Sequence, residues 1–153
     1  MIASRRWLAA MAVLSLAAVG AALYSQHVLD MQPCPWCVLQ RLIFVGIAAA
    51  CLVGLALRRV GAGLVLVLAL SGVAAALWQH FVAASAASCD LTLADKLMAA
   101  SGLDALWPEV FMATASCAEA KVNLLGLPYE FWSLGLFLLL AAAAARVALA
   151  RRR

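Results

Sequence analysis

Cys34 and Cys37 stand two residues apart in Pro33-Cys34-Pro35-Trp36-Cys37-Val38-Leu39-Gln40-Arg41, between two long hydrophobic stretches. Cysteines at this spacing can close a small, strained disulfide ring that exchanges electrons readily, with one thiol held as a reactive thiolate. Cys37 runs directly into an apolar stretch that reads as a helix, so both the helix dipole and Arg41, one turn further on, favour a thiolate there. Pro35 restricts the ring, and Trp36 suits an interface. Zinc sites and structural disulfides use the same spacing. An arginine near a membrane surface also has the plainer role of reaching out to headgroups. The rest of the chain has to decide between these readings.

The 153 residues are 68% hydrophobic and only 12% charged, with a mean hydropathy of +1.05. Charged residues make up roughly a quarter of a soluble domain, so lipid must be the solvent for most of this chain. Its length accommodates four spans of ~20 residues each plus one sizeable loop, as a single membrane domain. The expected spans cover about 7–24, 38–57, 60–81 and 132–150, with loops at about 25–37 and 82–131. The first run also fits a signal peptide, but it is long for one and lacks a small-x-small cleavage site before a polar region, so a retained helix is expected. The connection at Arg58-Arg59 is short enough to make spans two and three an antiparallel hairpin.

Arg5, Arg6, Arg58, Arg59, Arg146 and the three terminal arginines fall on one side of this arrangement. Arg41, Lys96, Lys121 and every acidic residue fall on the other. The positive-inside rule then places both termini in the cytoplasm and the two cysteine-bearing loops outside. The net charge of +4 is thereby accounted for by topology, and nucleic acid is not an expected partner. Within the long loop, Leu93, Leu97 and Met98 recur at helical spacing behind Asp90 and Thr92, with Gly102 as a stop. This predicts a short amphipathic helix, either lying on the outer leaflet or packed on the loop itself. Gly126-Leu127-Pro128 predicts a turn leading into span four.

Of the five cysteines, Cys51 falls inside span two and is expected to act as a small hydrophobe. Cys34, Cys37, Cys89 and Cys117 lie on the outer side, as one tight and one wide pair. Three arrangements compete: two structural disulfides, a four-thiolate zinc site, and a relay of two exchangeable disulfides. Zinc usually requires a second close pair, and no metal is expected. The setting of Cys37 favours the relay. His80, at the outer end of span three, is either an interfacial filler or a hydrogen-bond or proton donor to the electron acceptor. No dinucleotide, phosphate-loop or haem-attachment motif is present, since Val38 follows Cys37. The natural two-electron acceptor is therefore a membrane quinone.

The combined pattern resembles the bacterial disulfide bond formation protein B (DsbB) family over nearly the whole chain. The matching residues are Cys34-Pro35-Trp36-Cys37 with Gln40-Arg41, Trp107-Pro108-Glu109-Val110-Phe111, Ser116-Cys117-Ala118-Glu119, Leu125-Gly126-Leu127-Pro128 and Trp132-Ser133-Leu134-Gly135. The resemblance implies an all-α four-transmembrane-helix bundle with a short interfacial helix in the second periplasmic loop, in the bacterial inner membrane. It implies a thiol oxidase that reoxidises a DsbA-like periplasmic thioredoxin-fold protein and passes the electrons to ubiquinone or menaquinone. Carried over by position, Cys89 would form the mixed disulfide with the partner. Cys117 would be its resting partner and pair transiently with Cys34. Cys37 would contact the quinone, Arg41 would bind and polarise it, and His80 matches a histidine near the quinone site only loosely. Two alternatives are a quinone-coupled enzyme of the vitamin K epoxide reductase type, whose paired cysteines belong to a late span, and a membrane protein with purely structural disulfides.

Overall fold

A computed structural model describes residues 2–83, 85 and 92–149. Cys89, Asp90 and the three terminal arginines lie outside the described residues. Four helices are long and apolar enough to cross a membrane: α1 (Ile2–His27), α2 (Pro35–Ala56), α3 (Arg58–Trp78) and α7 (Tyr129–Leu149). They run up and down, with α1 on α2, α2 on α3 and α3 on α7; the seam closing the bundle between α1 and α7 is the loosest. Large side chains such as Val13, Leu52, Val67 and Leu139 project outward from all four, as expected of a bundle whose solvent is lipid.

The start of α2 is set by local chemistry. Cys34 adopts an extended N-cap conformation, its sulfur accepts the Cys37 N–H, and Pro35 occupies the first turn, where its missing N–H costs nothing. The helix therefore begins before the expected position 38 and takes Trp36 and Cys37 into its first turn. Leu57 alone joins α2 to α3. Past Trp78, α3 widens into a π turn over Gln79–Ala83.

Tight packing at the arginine-bearing end depends on missing side chains. A Cβ on Gly61 would lie 2.2 Å from the Gly54 Cα, and Leu8 caps the same contact from α1. Further along, the Phe137 ring occupies the space beside Gly72 and stacks on Phe44 at 4.2 Å between centroids. Such close approach is how membrane helices gain dispersion contacts without a hydrophobic driving force. Gly61→Ala is expected to destabilise the bundle by about 1–3 kcal/mol, because backbone cannot step aside as a side-chain tip can. Gly63→Ala on the same helix meets nothing within 4 Å and should be neutral or stabilising through helix propensity. Thermal unfolding of the two variants in detergent makes the comparison, and equal midpoints would refute the packing argument.

The long loop carries α4 (Leu93–Ser101), α5 (Leu103–Leu106) and α6 (Pro108–Phe111). Thr92 and Asp95 form a capping box at the start of α4, and Gly102 ends it with φ +68°. The apolar face splits in a way that spacing alone did not reveal. Ala94 and Met98 are buried against the bundle, whereas Leu93 and Leu97 point out. The expected turn at 126–128 lies one residue earlier. Strands β1 (Asn123–Leu124) and β2 (Leu127–Pro128) pair antiparallel, and Leu125 and Gly126 carry the positive φ angles of the two-residue turn between them.

Candidate functional site

At the end of the bundle opposite Arg58-Arg59, three sulfurs meet over the first turn of α2. Cys34 and Cys37 place their sulfurs 2.6 Å apart, and the Cys34 thiol is also hydrogen-bonded to Cys117. Cys34, Cys37 and Cys117 are free thiols in this state. Cys34 is completely buried, so the junction between the two loops is the least accessible sulfur of the three. The first-turn N–H groups serve them, that of Cys37 reaching Cys34 at 3.2 Å and that of Trp36 reaching Cys117.

Backbone pairing brings Cys117 here. The Thr114 and Ala115 N–H groups both donate to the Pro33 carbonyl, at 3.0 and 3.3 Å, and the Thr114 hydroxyl donates to Gln32 Oε1 at 2.6 Å. Ser116 and Glu119 then bond reciprocally around the Cys117 turn, which holds the exposed Glu119 carboxyl below its ordinary range.

The shared hydrogen bond divides the thiols. Holding its single proton between the Cys117 and Cys37 sulfurs, and buried as well, Cys34 is pushed far above the ordinary thiol range. Cys117 is pulled below it by the bond from Cys34, aided by the Trp36 N–H and opposed by burial and by the charges of Cys37 and Asp95. In the fully reduced protein, alkylation read by peptide mass should therefore reach Cys117 below pH ~8.5, where ordinary thiols are mostly protonated, with Cys34 reacting last. Equal pH profiles for the two would contradict the assignment.

Cys37 opens on its other side into a cavity of about 680 Å³ between α1, α2 and the start of α7, beneath the loose α1–α7 seam. Its walls are mostly apolar, with Phe44, Leu136, Trp132 and the alanines of α1, and its polar groups converge near the sulfur. Arg41 is 5% exposed and donates to Gln26 Oε1 at 2.6 Å, to the Val110 carbonyl at 3.0 Å and to the Ala22 carbonyl at 3.3 Å. Its partners are neutral. Gln40 donates to Gln79 at 2.7 Å, which turns the Gln79 amide to donate to the Cys37 sulfur at 3.3 Å. At the mouth, Ser25 donates to the Ala22 carbonyl, leaving the Tyr129 hydroxyl to donate to Ser25 at 3.0 Å. A second cavity of about 710 Å³, between α2, α3 and α4, is lined among the described residues by no sulfur and no charge.

Cys34, Cys37, Arg41 and Cys117 are thus brought together as one site. Cys51 lies apart, buried in the bundle core. His80 does not line the cavity. It bonds through Nδ1 to Glu130 at 2.7 Å, and Glu130 does line it. Sequence reasoning passed over Gln79, Tyr129 and Glu130 as site residues. The available signal was their polarity at the ends of apolar spans, where an ionisable or amide side chain needs a reason to be present.

Fold and site together define a multi-pass membrane protein with a thiol–disulfide centre at one end of a four-helix bundle. A family model described as Disulfide bond formation protein DsbB matches residues 4–147. The chain is 33% identical to Disulfide bond formation protein B of Cupriavidus metallidurans, over 97% of this chain and 94% of that one. It is 35% identical to the protein of that name in Herminiimonas arsenicoxydans, over 90% of each, and 36% identical to Disulfide bond formation protein B 1 of Pseudomonas aeruginosa, over 87% and 88%. The chain belongs to the DsbB family.

Proposed function

We propose that the protein is a thiol oxidase of the bacterial inner membrane, with its sulfur centre facing the periplasm and both termini in the cytoplasm. It reoxidises a DsbA-like thioredoxin-fold protein and passes the electrons to a membrane quinone. One observation carries the reading: Cys34 touches both Cys117 and Cys37, and Cys37 opens into an apolar cavity beside a buried guanidinium. Such a volume with few convergent polar groups suits a small planar ring, and the buried cation with its N–H donors suits a ring that gains negative charge on reduction. Arg41, Gln79 and Tyr129 would hold it. The bound quinone supplies a sink for two electrons and two protons.

The cysteine roles implied by the family resemblance give the chain's own steps, and the contacts of Cys34 with Cys37 and Cys117 support their inner half. A thiolate of the partner attacks Cys89 in a Cys89–Cys117 disulfide, and Cys117 leaves, a good leaving group because its acidity is raised. The partner's second thiolate then releases Cys89 and completes the partner's disulfide. Cys117 thiolate attacks Cys34 in a Cys34–Cys37 disulfide, forming Cys34–Cys117 and expelling Cys37 thiolate beside Arg41. Cys37 delivers the electron pair into the cavity and re-forms its bond to Cys34, while Cys117 returns to Cys89. Net, one dithiol and one quinone give one disulfide and one hydroquinone.

The test is quinone reduction, followed by absorbance, with the detergent-purified protein, a reduced thioredoxin-fold protein and a short-chain quinone. Turnover that is lost in Cys89→Ser supports the relay. A folded wild type that does not turn over, with its outer cysteines stably bonded, would leave the structural-disulfide alternative standing.

A further inference from the structure

We propose that Glu130 and His80 form a proton relay into the cavity beside Cys37, with Glu130 as the acid that protonates the bound quinone. The inference rests on the oxidase reading above and adds the route by which a proton reaches the acceptor. Glu130, in the first turn of α7, is 8% exposed, and its residue forms part of the cavity wall with Cys37 and Arg41. His80 stands behind it, 2.7 Å from Nδ1 to Oε1, with its side chain 32% exposed. The pair therefore runs from Glu130 in the cavity wall to an imidazole that reaches the surface.

Its geometry is held from both helices. The imidazole is flanked edge-on by Phe81 at 4.9 Å and Phe131 at 4.7 Å between centroids. The π turn at Gln79–Ala83 is a rare geometry that is frequent at functional sites. Here it presents consecutive residues to different partners, Gln79 to Cys37 and Gln40 and His80 to Glu130.

Other groups on the wall are poorer donors. Arg41 does not give up a proton in proteins, and the Tyr129 hydroxyl is engaged with Ser25. The Glu130 carboxyl is hydrogen-bonded to an imidazole that reaches the surface, which gives this part of the wall a proton path to the outside.

The quinone takes two electrons through Cys37 and two protons from the aqueous side, which received those of the partner's dithiol as its thiolates formed. Cys37 arrives as a thiolate and brings no proton of its own. Glu130 breaks its O–H bond to protonate one ring oxygen, then recovers a proton from His80 Nδ1, and the imidazole reloads from water outside the bundle. The second oxygen takes its proton from water as the hydroquinone leaves.

Glu130→Gln keeps the size and a donor but cannot transfer a proton. With a short-chain quinone and a reduced thioredoxin-fold protein, its kcat should fall about a hundredfold while the quinone KM stays within about twofold of wild type. His80→Ala should be slowed as well, and added imidazole should restore most of its turnover, which a merely structural role for the ring would not allow. Wild-type kcat in Glu130→Gln, a raised KM at unchanged kcat, or no imidazole rescue of His80→Ala would each overturn the relay. If Glu130→Gln does not fold, the imidazole arm decides alone. Failure of the wild type itself to reduce quinone would overturn the oxidase reading on which the relay depends.

Discussion

Cys34→Ser is expected to end quinone reduction while still permitting a single round of partner oxidation. The Cys34 sulfur contacts both Cys37 and Cys117, so in the proposed relay its removal separates the outer pair from the cavity. A Cys89–Cys117 disulfide would still accept one pair of electrons, giving one equivalent of oxidised partner and no hydroquinone. Steady turnover should drop more than about a thousandfold, as when one member of a concerted catalytic set is removed. Folding should survive, because serine is itself a favoured N-cap and its oxygen can accept the Cys37 N–H in place of sulfur. Counting oxidised partner on a quenched gel beside hydroquinone by absorbance reads both quantities at once. Substantial remaining turnover would mean that Cys117 reaches Cys37 directly.

Arg41→Met should raise the quinone KM about 10- to 100-fold, the loss typical of hydrogen bonds made by a charged donor. Its effect on stability should be much smaller, because two consequences of the change oppose each other. The guanidinium gives three hydrogen bonds to Gln26, Val110 and Ala22, and losing them takes a charged donor from the half-buried Gln26 and Val110 oxygens, while the Ala22 carbonyl keeps Ser25. The same change removes a desolvated charge that is 5% exposed, whose burial costs several kcal/mol. The offset disappears once an anionic ring or thiolate shares the site, since the charge is then compensated. Arg41→Lys separates charge from shape. An ammonium keeps the charge but cannot span three acceptors in a fork, so its KM should fall between those of Met and wild type. A KM unchanged in Arg41→Met would remove Arg41 from the binding site and leave it as a brace between α1, α2 and α6.

Much of this molecule is legible without coordinates because hydropathy and charge act locally along the chain. The four apolar runs appear as the four long helices. The run Cys34-Pro35-Trp36-Cys37 carries its own cap, so Cys34 is placed before the first turn and Cys37 within it. Thr92 and Gly102 mark the ends of α4 in the same way. Arg41, one turn beyond Cys37, follows from helical spacing alone. The one misjudged turn, at Leu125-Gly126, was displaced by a hairpin too short to show a strand pattern.

What the chain alone determined, then, is the set of spans, the sulfur pair at a helix start, and the cation beside it. Three further features needed the tertiary structure. The Cys117 turn reaches Cys34 because Pro33 offers its carbonyl to Thr114 and Ala115, a pairing across a long loop that no local pattern encodes. The Gln40–Gln79 and His80–Glu130 bonds depend on how α2, α3 and α7 are rotated about their axes, and helices apolar all round carry no polar face from which that rotation could be read. The cavity depends on α1 and α7 parting at one end while their neighbours stay packed. A sequence specifies which surfaces prefer lipid, but the relative rotation and separation of helices emerge only when all their side chains compete for the same space.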